Sequence, residues 1–238
     1  MKKFFLTLLA MLSVCSAKVK AQVSVPISAT KWQLWNRAVN RLPVYTVPSG
    51  GIGFDFEVSQ LPDPNAGPTW DGYFITPVKN VSLLGSGSEI VVTFQINASP
   101  TGVQWNFKSD GDGNPGTTPA NFHVYVQKSD GHCVNKSPFS ICYPPQLRWW
   151  SNPVKFTLID TGGVIELHVP LTPDNWSETD GVFATDPIFY PYWVETMSDP
   201  DWVGITFGGG SFFGHGVNVT LQPGIPVPTF TLLGWEVR

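Results

Sequence analysis

Ile52, Phe54, Phe56 and Val58 alternate with Gly53, Asp55 and Glu57. A period of two puts the apolar side chains on one face of an extended chain, so this stretch reads as a half-buried β-strand with one polar face. The same rule places strands near residues 31–36, 52–58, 78–84, 89–97, 103–108, 121–128, 146–150, 153–159, 164–170, 202–207, 216–221 and 228–237. Between them stand 23 Gly and 22 Pro, spread over the whole length, and this punctuation of short apolar runs is an all-β pattern. Two places invite a helix. Thr172-Pro173-Asp174 offers a capping side chain and an early proline for a turn over 174–181, and residues 190–198 suit about two turns. No repeat of 20 to 50 residues is present, which disfavours propellers and solenoids. The expected fold is all-β: a two-sheet antiparallel β-sandwich of jelly-roll type with one or two short helical turns.

The first 21 residues have the three zones of an export signal: Lys2 and Lys3, the apolar stretch Phe4 to Val14, and the small-residue exit Val19-Lys20-Ala21. That stretch is too short to span a bilayer, which takes about 20 apolar residues. Val14, just before Cys15, is bulkier than the Gly, Ala or Ser usual in a lipoprotein signal. Residues 1–21 are therefore read as a signal peptide, residues 22–238 as a single β-sandwich domain, and the mature protein as secreted or periplasmic. Cleavage removes Lys2, Lys3, Lys18 and Lys20, leaving ten Lys and Arg against eighteen Asp and Glu, so the net charge moves from −4 to −8. An acidic chain without a basic cluster argues against nucleic acid or anionic lipid as partner, because both draw on lysine and arginine arrays. Neutral ligands stay open. Cys133 and Cys142 survive cleavage, and two cysteines closing a short loop in an exported chain fit one disulfide.

Candidate chemistry begins with Trp149 and Trp150, inside Arg148-Trp149-Trp150-Ser151-Asn152. Neighbouring side chains on a strand point to opposite faces, so the two indoles enter one core only if the strand is covered on both sides. One of them is expected to face solvent. A rigid flat indole flanked by Arg148 and Asn152 suits stacking on a sugar ring with polar groups reading its hydroxyls. Trp70 and Tyr73, in a loop rich in Pro, Gly and Asp, are similar candidates. The structural alternative for any of these aromatics is an ordinary place in the core.

The segments RWWSNP (148–153), VPLTPDNWS (169–177) and VGITFGGGSFFGHGVNV (203–219), closed by TFTLLGWEV (229–237), resemble a group of exported bacterial proteins. That group's architecture is similar to carbohydrate-binding jelly rolls. The resemblance covers roughly residues 103–238 and implies fold and export rather than a particular activity.

Other motifs weigh less. Asp110, Asp112 and Asn114 alternate with glycine like the start of an EF-hand loop and suggest calcium, but Pro115 and Gly116 follow and Asn121 stands where the closing Glu belongs. A β-turn rich in Asp, Asn and Gly is the simpler account. The glycine-rich run 208–216 lacks the lysine and following helix of a phosphate loop. His123, His132, His168 and His215 lack metal-ligand spacing. For glycoside hydrolysis or a lyase the candidates are Asp55 with Glu57, and Glu195, Asp199 and Asp201, but the first set reads more simply as the polar face of a sheet and the second as a solvated turn, since nothing adjacent suggests the burial that acid catalysis needs. The sequons at Asn80, Asn97, Asn135, Asn175 and Asn218 matter only in a eukaryotic secretory route. The reading that results is an exported non-catalytic binding protein for polysaccharide or glycan, with no resident cofactor. A hydrolase or lyase on the same fold and a structural or surface-assembly protein are the alternatives.

Overall fold

The computed structural model describes residues 22–35, 41–56, 72–107, 121–129, 147–152, 162–178, 181–208 and 217–238. In chain order the strands are β1 (Val23–Ser24), β2 (Gln33–Trp35), β3 (Arg41–Leu42), β4 (Tyr45–Thr46), β5 (Ile52–Asp55), β6 (Gly72–Pro77), β7 (Glu89–Asn97), β8 (Val103–Phe107), β9 (Asn121–Gln127) and β10 (Arg148–Ser151). They continue with β11 (Val164–Pro170), β12 (Trp176–Ser177), β13 (Trp202–Gly208), β14 (Val217–Leu221) and β15 (Thr229–Val237). Helices are α1 (Leu83–Ser86) and α2 (Tyr190–Ser198), with a 3-10 turn at Pro173–Asn175.

The first sheet runs β11-β7-β15-β5-β4, with β1 also paired to β15, and the second runs β12-β10-β9-β13-β6-β2-β3. All pairings between these strands are antiparallel. Within them, the nested order β5-β15-β7-β11 over β6-β13-β9-β10 is that of an eight-stranded jelly roll, in which successive strands pass from one sheet to the other except at the β9–β10 pair. Both sheets draw strands from both halves of the chain. A separate ribbon, β8 with β14, is built from the β7–β9 and β13–β15 connections.

Alternation explains which side chains meet between the sheets. Ile90, Val92, Phe94 and Ile96 of β7 point inward, as do Phe230 and Leu232 of β15. A register shift between Leu232 and Gly234 lets the strand absorb Leu233, so Trp235 and Val237 also reach the core. Phe54 sits among Phe74, Phe207 and Phe230 with ring centroids 5.2–5.4 Å apart, joining strands of both sheets.

The strand expected at 153–159 lies outside the described residues, and among the described ones one expected strand is absent. Residues 78–84, read as extended, form a turn that leads into α1, where the Ser82 side chain accepts from Gly85 N at 3.2 Å and its carbonyl accepts from Ser86 Oγ. Serine's local hydrogen bonding outcompetes the ladder here. The true neighbouring strand is β6. Its Tyr73-Phe74-Ile75 core does not alternate because both of its faces are buried.

Candidate functional site

Register converts the outer face of the second sheet into rows of side chains. Trp150 lies opposite Tyr125, Tyr125 opposite Gly204, Gly204 opposite Ile75, and Ile75 opposite Gln33. The next row runs His123, Thr206, Tyr73, Trp35, Arg41. Gly204 leaves the centre of the first row empty, and the rings of Tyr73 and Tyr125 meet at 5.1 Å. A Cβ at Gly204 would come within 2.3 Å of the Phe74 carbonyl oxygen, so only glycine fits. The Tyr125 and Trp150 rings also lie 5.1 Å apart.

This aromatic row is a second core, and that corrects the expectation of an open indole. Trp149 is 0% exposed in the inter-sheet core, and Trp150 is 1% exposed among Trp35, Tyr73, Ile75 and Tyr125. The two side chains do point to opposite faces, but both faces are covered. Tyr73 belongs to buried β6 rather than to a loop. Arg148 is half-buried, opposite Gln127 on β9. Asn152 joins β10 to the 3-10 turn and β12: its Nδ2 donates to the Asp174 carbonyl at 2.8 Å and its Oδ1 accepts from Ser177 Oγ at 3.1 Å. Trp70, Asp110, Asp112, Asn114, Cys133 and Cys142 lie outside the described residues.

Polar groups on the same face are bonded into the scaffold. Buried His123 donates from Nδ1 to the Ser151 carbonyl at 2.7 Å, and burial pulls its pKa down to about 4, so the ring is neutral. Tyr125 Oη donates to Gln127 Oε1, and Gln127 Nε2 donates to Ser129 Oγ at 3.0 Å. Ser129 N donates to Asp201 Oδ2 at 2.6 Å, and the Asp201 carbonyl accepts from Val78 N at 2.9 Å.

The carboxylates considered for acid–base work serve the same scaffold. Asp55 accepts from Tyr45 Oη at 2.6 Å, and partial burial, together with this bond and the carboxylate's charge, pushes the tyrosine pKa up. Asp199 pairs with Lys128 at 2.9 Å, Asp201 holds Ser129, and Glu195 is exposed on α2. Glu57 lies outside the described residues. His168 has Glu89 at 3.2 Å from Nδ1 and Glu166 at 3.5 Å from Nε2. With one carboxylate on each ring nitrogen, the three cannot converge on one ion. Among the described residues no group of three or more His, Cys, Asp or Glu is placed to hold a metal.

Among the described residues, open aromatic surface lies at Tyr45, which is 38% exposed and bonded to Asp55, and in the connection between β12 and β13. Phe183 is 48% exposed, Ile188 71% and Tyr190 46%. Asp186 is their hub: its carbonyl accepts from Phe189 N and Tyr190 N, and its Oδ1 accepts from Ile188 N at 2.8 Å. Tyr190 stacks on buried Trp193 one helical turn along α2, with centroids 5.9 Å apart and planes at 28°. The i, i+3 spacing of Tyr190 and Trp193 in a readable helix was the available signal for this pair.

Fold and site together define an all-β jelly-roll sandwich with exposed Phe183 and Tyr190 in the β12–β13 connection and a closed aromatic face on the second sheet. The sequence matches no protein-family model and no curated protein. Among solved structures, the L4b domain of human laminin alpha-2 aligns over 92% of this chain and 98% of its own length, at 9% identity and a TM-score of 0.47. A likeness of that degree carries no information about ligand.

Proposed function

We propose that the protein is an exported, non-catalytic binding protein whose ligand is a polysaccharide or glycan, engaged at the Phe183–Tyr190 patch. The observation that carries this reading is Tyr190, nearly half exposed and backed by buried Trp193. A ring already held flat loses little conformational freedom when a ligand stacks on it. The C–H face of a sugar is such a ligand. Asp186 adds acceptor capacity beside the rings, because a carboxylate has about four lone-pair sites and one hydrogen bond to Ile188 leaves the rest available for hydroxyls. The non-catalytic part is supported by Asp55, Asp199 and Asp201, whose carboxylates are tied to Tyr45, Lys128 and Ser129. Export is supported by the three-zone start of the sequence and by the resemblance to exported proteins.

The test is a panel of soluble polysaccharides in affinity electrophoresis, with reducing-end and unsaturated products assayed in parallel. Retention without products is expected. Tyr190→Ala should weaken retention by about 1 to 3 kcal/mol, taking aromatic stacking on bases as the analogue, while leaving the urea midpoint close to that of the parent. Product release would instead place the protein among hydrolases or lyases.

A further inference from the structure

Six described residues carry a permanent positive charge. Lys128 pairs with Asp199, Arg238 with Glu236 and Glu166, Arg41 lies 4.9 Å over the Trp35 ring, and Arg148 is half-buried on β10. Lys31 and Lys79 are the other two. Both are exposed, neither forms a salt bridge to a described residue, and both line the same cleft of about 190 Å³.

That cleft lies between the β1–β2 segment and the turn after β6, with Val25, Pro26, Pro77 and Val78 as apolar wall. Its frame is fixed on both sides. Thr76 Oγ1 donates to the Lys31 carbonyl at 3.4 Å, Trp32 Nε1 donates to the Pro26 carbonyl at 3.1 Å, and Val78 N donates to the Asp201 carbonyl. The Asp201 carboxylate accepts from Ser129 N at 2.6 Å and forms no salt bridge with Lys79. In a chain whose residues 22–238 carry a net charge of −8, two ammonium groups without an ion pair to a described residue raise the local positive potential at one apolar hollow.

We infer that this cleft takes the carboxylate of an acidic sugar unit, a uronic acid residue of a glycan, with Lys31 and Lys79 on the carboxylate and the proline–valine wall against the C–H face of the ring. The net negative charge of the protein does not prevent this, since charges more than about 8 Å away are largely screened at physiological ionic strength. The inference rests on the glycan reading for the sugar and on the two lysines for the charge, and these parts are separable.

The experiment is isothermal titration of the mature protein with trigalacturonate, galacturonate, acetate and neutral galactotriose. Trigalacturonate and galacturonate should bind, acetate should bind more weakly, and binding should weaken as NaCl rises from 50 to 500 mM. Lys31→Gln and Lys79→Gln should each lower trigalacturonate affinity about tenfold, the value of one hydrogen bond to a charged group. Neither should change galactotriose binding, which should respond to Tyr190→Ala instead. No binding of either uronate, or equal affinity in the Lys31→Gln/Lys79→Gln protein, would overturn the inference while leaving neutral-glycan binding at Tyr190 standing. Acetate binding as tightly as galacturonate would overturn the sugar assignment. Both lysines are exposed, so the variants should fold, which unchanged urea midpoints would verify.

Discussion

Trp149 and Trp150 are adjacent in sequence and separated in space by the thickness of a sheet. Strand geometry made their divergence legible, but burial of the second face depends on the tertiary fold, which a period-two pattern does not encode. Both are therefore structural: Trp149→Ala and Trp150→Ala should each cost about 3 to 5 kcal/mol, read as a lower urea midpoint at unchanged m-value. His123 gives a second prediction at this scale. Its folded pKa of about 4 lies below the ordinary 6.5, so between these values the unfolded chain binds the proton and the folded one does not. The stabilisation of the neutral ring is complete above pH 6.5 and is lost as pH falls through that window towards 4. Near pH 5 the loss should be about 2 kcal/mol, and His123→Gln should show a correspondingly flatter stability profile from pH 7.5 to 4.5.

Strand β7, strand β11 and helix α2 fall on residues 89–97, 164–170 and 190–198, the ranges that periodicity indicates. The two strands were readable because each sustains an alternation bounded by Gly or Pro, and the helix because Pro191 follows its first residue. Strand β6 was not readable because Tyr73, Phe74 and Ile75 are all buried, and β1, β3, β4 and β12 are two residues long, too short to show a period. At the β4–β5 hairpin, turn chemistry yields a paired test. Gly50 and Gly51 both have positive φ, +102° and +88°, but a Cβ at Gly50 meets open space whereas one at Gly51 would come within 2.4 Å of the Leu232 carbonyl oxygen. Gly50→Ala should cost about 1 kcal/mol, and Gly51→Ala at least twice that, because strain and a backbone clash act together. Thermal unfolding of the two variants side by side would show equal losses if the close approach had no effect.

For the whole molecule, two sheets of jelly-roll order enclose one aromatic core, and a second aromatic cluster fills the outer face of the β12-β10-β9-β13-β6-β2-β3 sheet. No helix among the described residues is long and apolar enough to cross a membrane. The sequence carried the fold class well, since strand count and punctuation reflect local physics. It carried the proposed binding surface poorly: an aromatic surplus announces rings without saying which are buried, and among the described aromatics Tyr45, Phe183 and Tyr190 emerge as the open ones only once the sheets have taken up the tryptophans. The most direct measurement is retention of a protein comprising residues 22–238 on the polysaccharide panel, with Tyr190→Ala and Phe183→Ala beside the parent. At least one polysaccharide should retard the parent, both variants should lose most of that retardation with unaltered folding, and no products should form. Parent and variants migrating alike on every polysaccharide would contradict the proposed function.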